Sequence, residues 1–349
     1  MTDQLAGLLV QQADAAAQLG SPMYGALLRR TAAELGRAGP VARVLEPHAD
    51  ATGPAATGLR LLGAVHRLVL DNSARDLARY YPSVGGTWDL EAAWPAYVAL
   101  LDERYYDVTR WMRRPPQTNE VGRAAALVGG LLRLVDHHPL PVRLYELGAS
   151  AGLNLRADRF RYEGAGGGWG PVDSPVRLDP AWAGVTTPVD GRLDLVERVG
   201  CDPDPVDTGT AEGRLVLMSY VWPDQAVRLD RLRGAFRVAA EVPAPVRQQS
   251  AAELVAGLDL VDGTLTLLWH SVIWQYLGRT EKDAVDHDVH RLGASATDRA
   301  PFAHLFLEPW RRTPEAEHEF LVVLEHWPGG ERTVLGQTHP HGVPVRWER

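Results

Sequence analysis

Residues 144–156 read Leu-Tyr-Glu-Leu-Gly-Ala-Ser-Ala-Gly-Leu-Asn-Leu-Arg. The apolar run ending at Leu147 suits a buried strand. Gly148 permits a tight turn with close backbone approach, and Gly152 is placed to open a helix whose amides face a ligand. A strand, turn and helix start in this order predict a Rossmann-like α/β domain with a nucleotide-binding turn.

Downstream, short apolar runs alternate with turn residues, which predicts strands at Val142–Leu147, Leu193–Val199, Leu215–Ser219, Leu265–His270, Phe302–Leu307 and Phe320–His326. Helical patterns follow several of them, so the expected sheet is mostly parallel. Residues 163–175, rich in glycine and proline, make the first crossover too long for a plain one and predict an insertion near 160–192. Upstream of the His-His-Pro-Leu-Pro break at 137–141 every readable segment is helical in period. Ser21-Pro22 starts one helix, Leu59, Leu62, His66 and Val69 mark a second, a third spans Leu90 to Trp111, and Thr118 caps a fourth. The expected organisation is an all-helical cap over residues 1–138 and a Rossmann-like domain over 139–349.

The net charge of -8 and the lack of a cationic stripe argue against nucleic-acid binding. No apolar run approaches the ~20 residues of a membrane span. The amino terminus has no basic start or long apolar core, so the expected location is the cytoplasm. A single cysteine, Cys201, rules out an intramolecular disulfide and any multi-cysteine zinc site. His339 and His341 share one side of an extended chain without a third ligand, so no metal is expected. Nothing in the sequence argues for a protein partner or a homo-oligomer.

The spacing of Glu146, Gly148, Ser150 and Gly152 resembles the first motif of S-adenosylmethionine-dependent methyltransferases, with Ser150 in place of the usual middle glycine. That resemblance implies S-adenosylmethionine as cofactor, with Glu146 serving its methionine end or the waters that position it. Asp202 suits the second acid of such a site, on the ribose hydroxyls, although it lies 50 residues after Gly152 where a compact unit has ~20. An Asp-Pro turn is the alternative reading of Asp202. The same letters spell the Gly-x-Ser-x-Gly elbow of a serine hydrolase, with Asp224, His270 and His339 in a suitable order, but no strand precedes residue 142 to supply an oxyanion loop.

Asn119, Glu120 and Arg123 lie at a helix start suited to an anion or carboxylate, or form a capped surface helix. Tyr220, Trp222 and Asp224 after one expected strand, and Ser271, Trp274 and Gln275 after another, supply pocket walls and polar contacts for a small-molecule substrate. His270 is the residue suited to moving a proton at neutral pH, with Glu120 and Asn119 beside it in the candidate catalytic set.

Longer strings carry a family resemblance: Arg-Pro-Pro-Gln-Thr-Asn-Glu-Val-Gly-Arg (114–123), Glu-Leu-Gly-Ala-Ser-Ala-Gly-Leu-Asn-Leu (146–155), Ser-Tyr-Val-Trp-Pro-Asp-Gln (219–225), His-Ser-Val-Ile-Trp-Gln-Tyr-Leu (270–277) and His-Pro-His-Gly (339–342). Together with shorter strings from Ser21 to Trp347, they resemble the bacterial family catalogued as domain of unknown function 2332. The resemblance implies a methyltransferase-like fold, an actinobacterial distribution and, for some relatives, a place in secondary metabolism. The resulting expectation is a small-molecule transferase with a methyltransferase-like site. The alternatives are a cofactor-independent enzyme of the same fold catalysing intramolecular substitution or elimination, a serine hydrolase, and a non-catalytic binding protein.

Overall fold

The computed structural model describes residues 2–348. Contacts divide them into two units, one running up to Thr118 and including Gly209–Leu229, the other comprising Asn119–Thr208 and everything from Asp230 onward.

The first unit is helical. Ser21 caps the helix Pro22–Glu34 by accepting from the Tyr24 amide, and buried Tyr24, Leu27, Leu28 and Thr31 follow on one face, as the pattern predicts. Of the expected stripe in Thr57–Leu70, Leu62, His66 and Val69 are buried and Leu59 is half-buried, with His66 bonded to the Ser219 carbonyl and the Ser83 hydroxyl. The expected third helix breaks at Arg104 into Leu90–Glu103 and Tyr105–Met112. Leu9, Leu28, Leu62, Val65, Tyr81, Tyr97 and Leu101 lie in this unit's core.

Leu215–Ser219 is not a strand. It ends the helix Ala211–Ser219, which Thr210 caps by accepting from the Gly213 amide. A five-residue apolar run is too short for periodicity to separate the two structures, and the cap decides for helix.

The second unit is built on one sheet, eleven-stranded among the described residues. Its strands are β1 (Val142–Leu147), β2 (Arg161–Gly164), β3 (Gly167–Trp169), β4 (Arg177–Gly184), β5 (Leu195–Asp202), β6 (Val246–Gln248), β7 (Leu265–Ser271), β8 (Phe302–Trp310), β9 (Glu319–Trp327), β10 (Glu331–Thr338) and β11 (Val345–Trp347). They lie in the order β3-β2-β4-β11-β10-β9-β8-β7-β1-β5-β6. From β6 to β8 neighbours are parallel, whereas β8, β9, β10 and β11 pair antiparallel and β3 is antiparallel to β2. The sheet is therefore mixed, not mostly parallel. The connection between Trp310 and Glu319 is too short for a crossover helix, so the chain turns back as a hairpin. The expected insertion forms β2, β3 and β4 at the sheet's far edge.

One face of the parallel part carries Tyr145, Leu147, Val199, Leu268 and Phe302, packed with Leu254 and Val255 of Ala251–Ala256 and with Val285, Val289 and Leu292 of Arg279–Ser295. The helix Ala124–His137, expected in the helical cap, contacts β4, β8 and β9 and so belongs to this unit. Among the described residues no helix is long and apolar enough to cross a membrane.

Candidate functional site

Strand β1 leads to β5 and β6 on one side, while β7 and β8 lie on the other. The sheet order thus reverses between β1 and β7, and the loops at such carboxyl ends form the crevice in which open α/β sheets place ligands.

The loop after β1 holds three left-handed residues: Gly148 at φ +62°, Ser150 at +54° and Gly152 at +66°. Left-handed backbone is unfavourable for serine, and Asp202 holds it in place. One Asp202 carboxylate oxygen accepts from the Ser150 amide at 2.9 Å and the other from the Asp204 amide at 2.9 Å. The Ala149 amide donates to the Cys201 carbonyl and the Val206 amide to the Ser150 carbonyl, closing the end of β5 onto the turn. The helix expected after Gly152 is a 3-10 segment, Leu153–Arg159, with non-helical backbone at Arg156. Arg156 donates to the Gly152 and Val242 carbonyls, and those bonds take the place of a regular helix start.

The glycines of this turn make room for the chain's own side chains. A Cβ on Gly148 would lie 2.5 Å from the Ile273 side chain, and one on Gly152 would lie 2.7 Å from Val246. The space against the first glycine, where a cofactor would approach, is therefore filled by the loop after β7.

Glu146 is buried on the sheet face opposite the Tyr145 and Leu147 side chains, in register with Gly200 and Trp269. Its Oε2 has no hydrogen-bond partner. Burial pushes its pKa up to about 8, against the pull of the Trp269 side chain and of the Arg123 and Arg156 charges, so the carboxyl carries its proton at neutral pH.

Four of the longer strings converge here. Arg123 donates through Nη1 to the Ser271 carbonyl at 3.1 Å and through Nε to the Pro340 carbonyl at 2.9 Å. The Asn119 side-chain oxygen accepts from the Leu153 amide, Asn154 donates to the Glu120 carbonyl, and the Glu120 carboxylate accepts from the Gly122 amide. Asn119, Glu120 and Arg123 thus tie loops together at the strand ends. His339 accepts from the His341 amide within the last of these loops. Among the described residues no group of three His, Cys, Asp or Glu side chains is placed to hold a metal.

The loop after β7 contains the second strained residue, Val272 at φ +54°. Glu308 anchors it, accepting from the Ile273 amide at 2.9 Å and the Trp274 amide at 3.3 Å. The same carboxylate oxygen lies 2.8 Å from His270 Nδ1, His270 Nε2 lies 3.1 Å from His304 Nε2, and His304 Nδ1 lies 3.3 Å from Glu325. Arg332 reaches the other Glu325 oxygen at 3.3 Å. This line crosses β7, β8 and β9, with His270 stacked between Trp274 and Phe306, each centroid 5.3 Å away. Burial lowers the His304 pKa to about 4, so His304 is neutral and donates one Nδ1 proton to Glu325. Its Nε2 then accepts from His270 Nε2. Both His270 nitrogens are committed within this line, so the histidine is a positioning residue for the loop.

Ser271 is buried, Trp274 is half-buried and Gln275 is exposed. Tyr220, Trp222 and Asp224 belong to the helical unit, after a helix and not after a strand. Asp224 there accepts from the Ser21 hydroxyl and the Met23 amide, stabilising the start of Pro22–Glu34. Glu308, His304 and Glu325 were not among the expected site residues. Their signal is alternation, since His304, Phe306 and Glu308 share one face of a strand.

The fold and site define a mixed α/β protein with interlocked loops at the carboxyl ends of its central strands. The family model described as an uncharacterized protein conserved in bacteria (DUF2332) matches residues 6–347, and the chain belongs to that family. No curated protein matches it.

Proposed function

We propose that this chain is an enzyme with a Rossmann-like sheet that acts on one small molecule at the carboxyl ends of β1 and β7 without S-adenosylmethionine, orienting it for intramolecular substitution or elimination. The observation that carries this reading is the self-packed turn. Ile273 fills the space against Gly148, Ser150 brings a side chain into the loop, and both Asp202 oxygens already accept backbone amides. The residues present do not fit the cofactor.

Reactions within one substrate draw mainly on positioning and on one placed proton. Arg123 and Glu308 hold the strand-end loops at fixed spacing, and Glu146 retains a proton at neutral pH beneath the turn. Mass spectrometry of the denatured purified protein tests the reading: it is expected to release no S-adenosylmethionine or demethylated product, and stoichiometric release of either overturns it.

One observation favours a second reading, S-adenosylmethionine-dependent transfer. The strand order β6-β5-β1-β7-β8, with Glu146 and Asp202 near the ends of adjacent strands, suits a methyltransferase-type sheet. Cofactor release in the same experiment would select it.

A further inference from the structure

In the helical unit, the helix Thr57–Leu70 presents Arg60, Gly63 and Arg67 on one stripe, three and four residues apart. The Arg67 guanidinium lies over the Trp111 ring, 3.8 Å from its centroid, and the exposed Arg114 and Arg110 guanidiniums approach the same ring at 5.3 and 5.7 Å. Tyr220 packs against Gly63, where a Cβ would come within 2.6 Å of its ring. The charges of Arg60, Arg114 and Arg67 act on the Tyr220 hydroxyl, whose pKa burial nevertheless raises.

Three guanidiniums therefore crowd one indole, and a fourth, that of Arg60, acts with two of them on Tyr220, in a chain of net charge -8. Their ion pairing among the described residues is a single bond, from Arg67 Nη2 to Glu212 at 2.5 Å, and the Glu212 side chain is 58% exposed. Arg67 is 6% exposed, and its Nη1 is buried without a partner, as is Arg60 Nε. Like charges at this separation repel, and an unpaired buried donor is costly.

We infer that Arg60, Arg67 and Arg114, with Tyr220, form a binding site for a phosphate-type oxyanion that displaces the Glu212 carboxylate from Arg67. Guanidiniums match the oxygens of such a group in paired geometry, and the flanking indole keeps the contacts dry. Glu212, on the solvent side, holds the place of the anion until it arrives. The site lies wholly within the helical unit and stands whether or not the proposed chemistry at the strand ends is correct.

Isothermal titration of the full chain with inorganic phosphate and with phenyl phosphate, at constant ionic strength made up with chloride, tests the site. Saturable binding at one site per chain is expected for at least one of them. Tighter phenyl phosphate assigns the site to an organic ester, and tighter inorganic phosphate assigns it to the free ion. Arg67→Gln is expected to weaken binding about tenfold or more, and Glu212→Gln to strengthen it. Because Arg67 is buried, the exposed Arg114→Gln serves as a second variant, expected to weaken binding severalfold with unchanged thermal stability. Absence of saturable binding by both anions, or affinity unchanged in Arg114→Gln and in folded Arg67→Gln, overturns the inference.

Discussion

Ser150 and Val272 adopt left-handed backbone in two loops that follow neighbouring parallel strands, and each has an acid holding the turn. Such residues cost about 1–3 kcal/mol each and persist only where the surroundings impose them. Asp202→Ala removes the acceptor of two backbone amides and should lower unfolding free energy by about 2 kcal/mol in urea titrations. Unchanged stability would mean the turn holds itself. Glu146 gives a pH signature. Its carboxyl titrates near 4.5 when unfolded and near 8 when folded, so between those values the folded state binds more protons and stability falls as pH rises. Glu146→Gln should flatten this decline, by up to a few kcal/mol on going from pH 5 to pH 9. Parallel stability curves for variant and wild type would contradict the assignment. That Glu146 and Asp202 lie near the ends of adjacent strands was legible from motif order, although the 50 residues between Gly152 and Asp202 exceed a compact unit. That Asp202 spends both oxygens on its own backbone was not, because it depends on how far β5 reaches past the turn.

The strands β1, β7 and β8 were readable because each is an almost wholly buried apolar run bounded by turn residues. Strands β2, β3, β4, β10 and β11 were not. They are short or partly exposed, and their pairing depends on distant segments, as when β4 joins β11 from 160 residues further along the chain. The face shared by β7, β8 and β9 carries a buried polar line that sequence reading missed. His304 is its middle member, and His304→Phe cuts the line in two, leaving His270 with Glu308 alone and Glu325 with Arg332 alone. Breaking such a line is expected to cost about 3 kcal/mol near pH 7, read by denaturant unfolding. A cost below about 1 kcal/mol would show that the line is no connected unit.

At the scale of the whole chain, the change from helical period to short apolar runs marked the division into helical and α/β parts, but two helices fell on the other side of the expected boundary. Ala124–His137 is apolar enough on one side to cover a sheet, and Ala211–Ser219 returns to the helical unit from a position between β5 and β6. Chain order alone cannot show such a return. The central claim is that the self-packed turn is closed to S-adenosylmethionine. Titration calorimetry of the wild-type chain with S-adenosylmethionine and with S-adenosylhomocysteine tests that claim most directly. Neither compound is expected to give a saturable binding heat, and stoichiometric binding of either, abolished by Asp202→Ala, would contradict it.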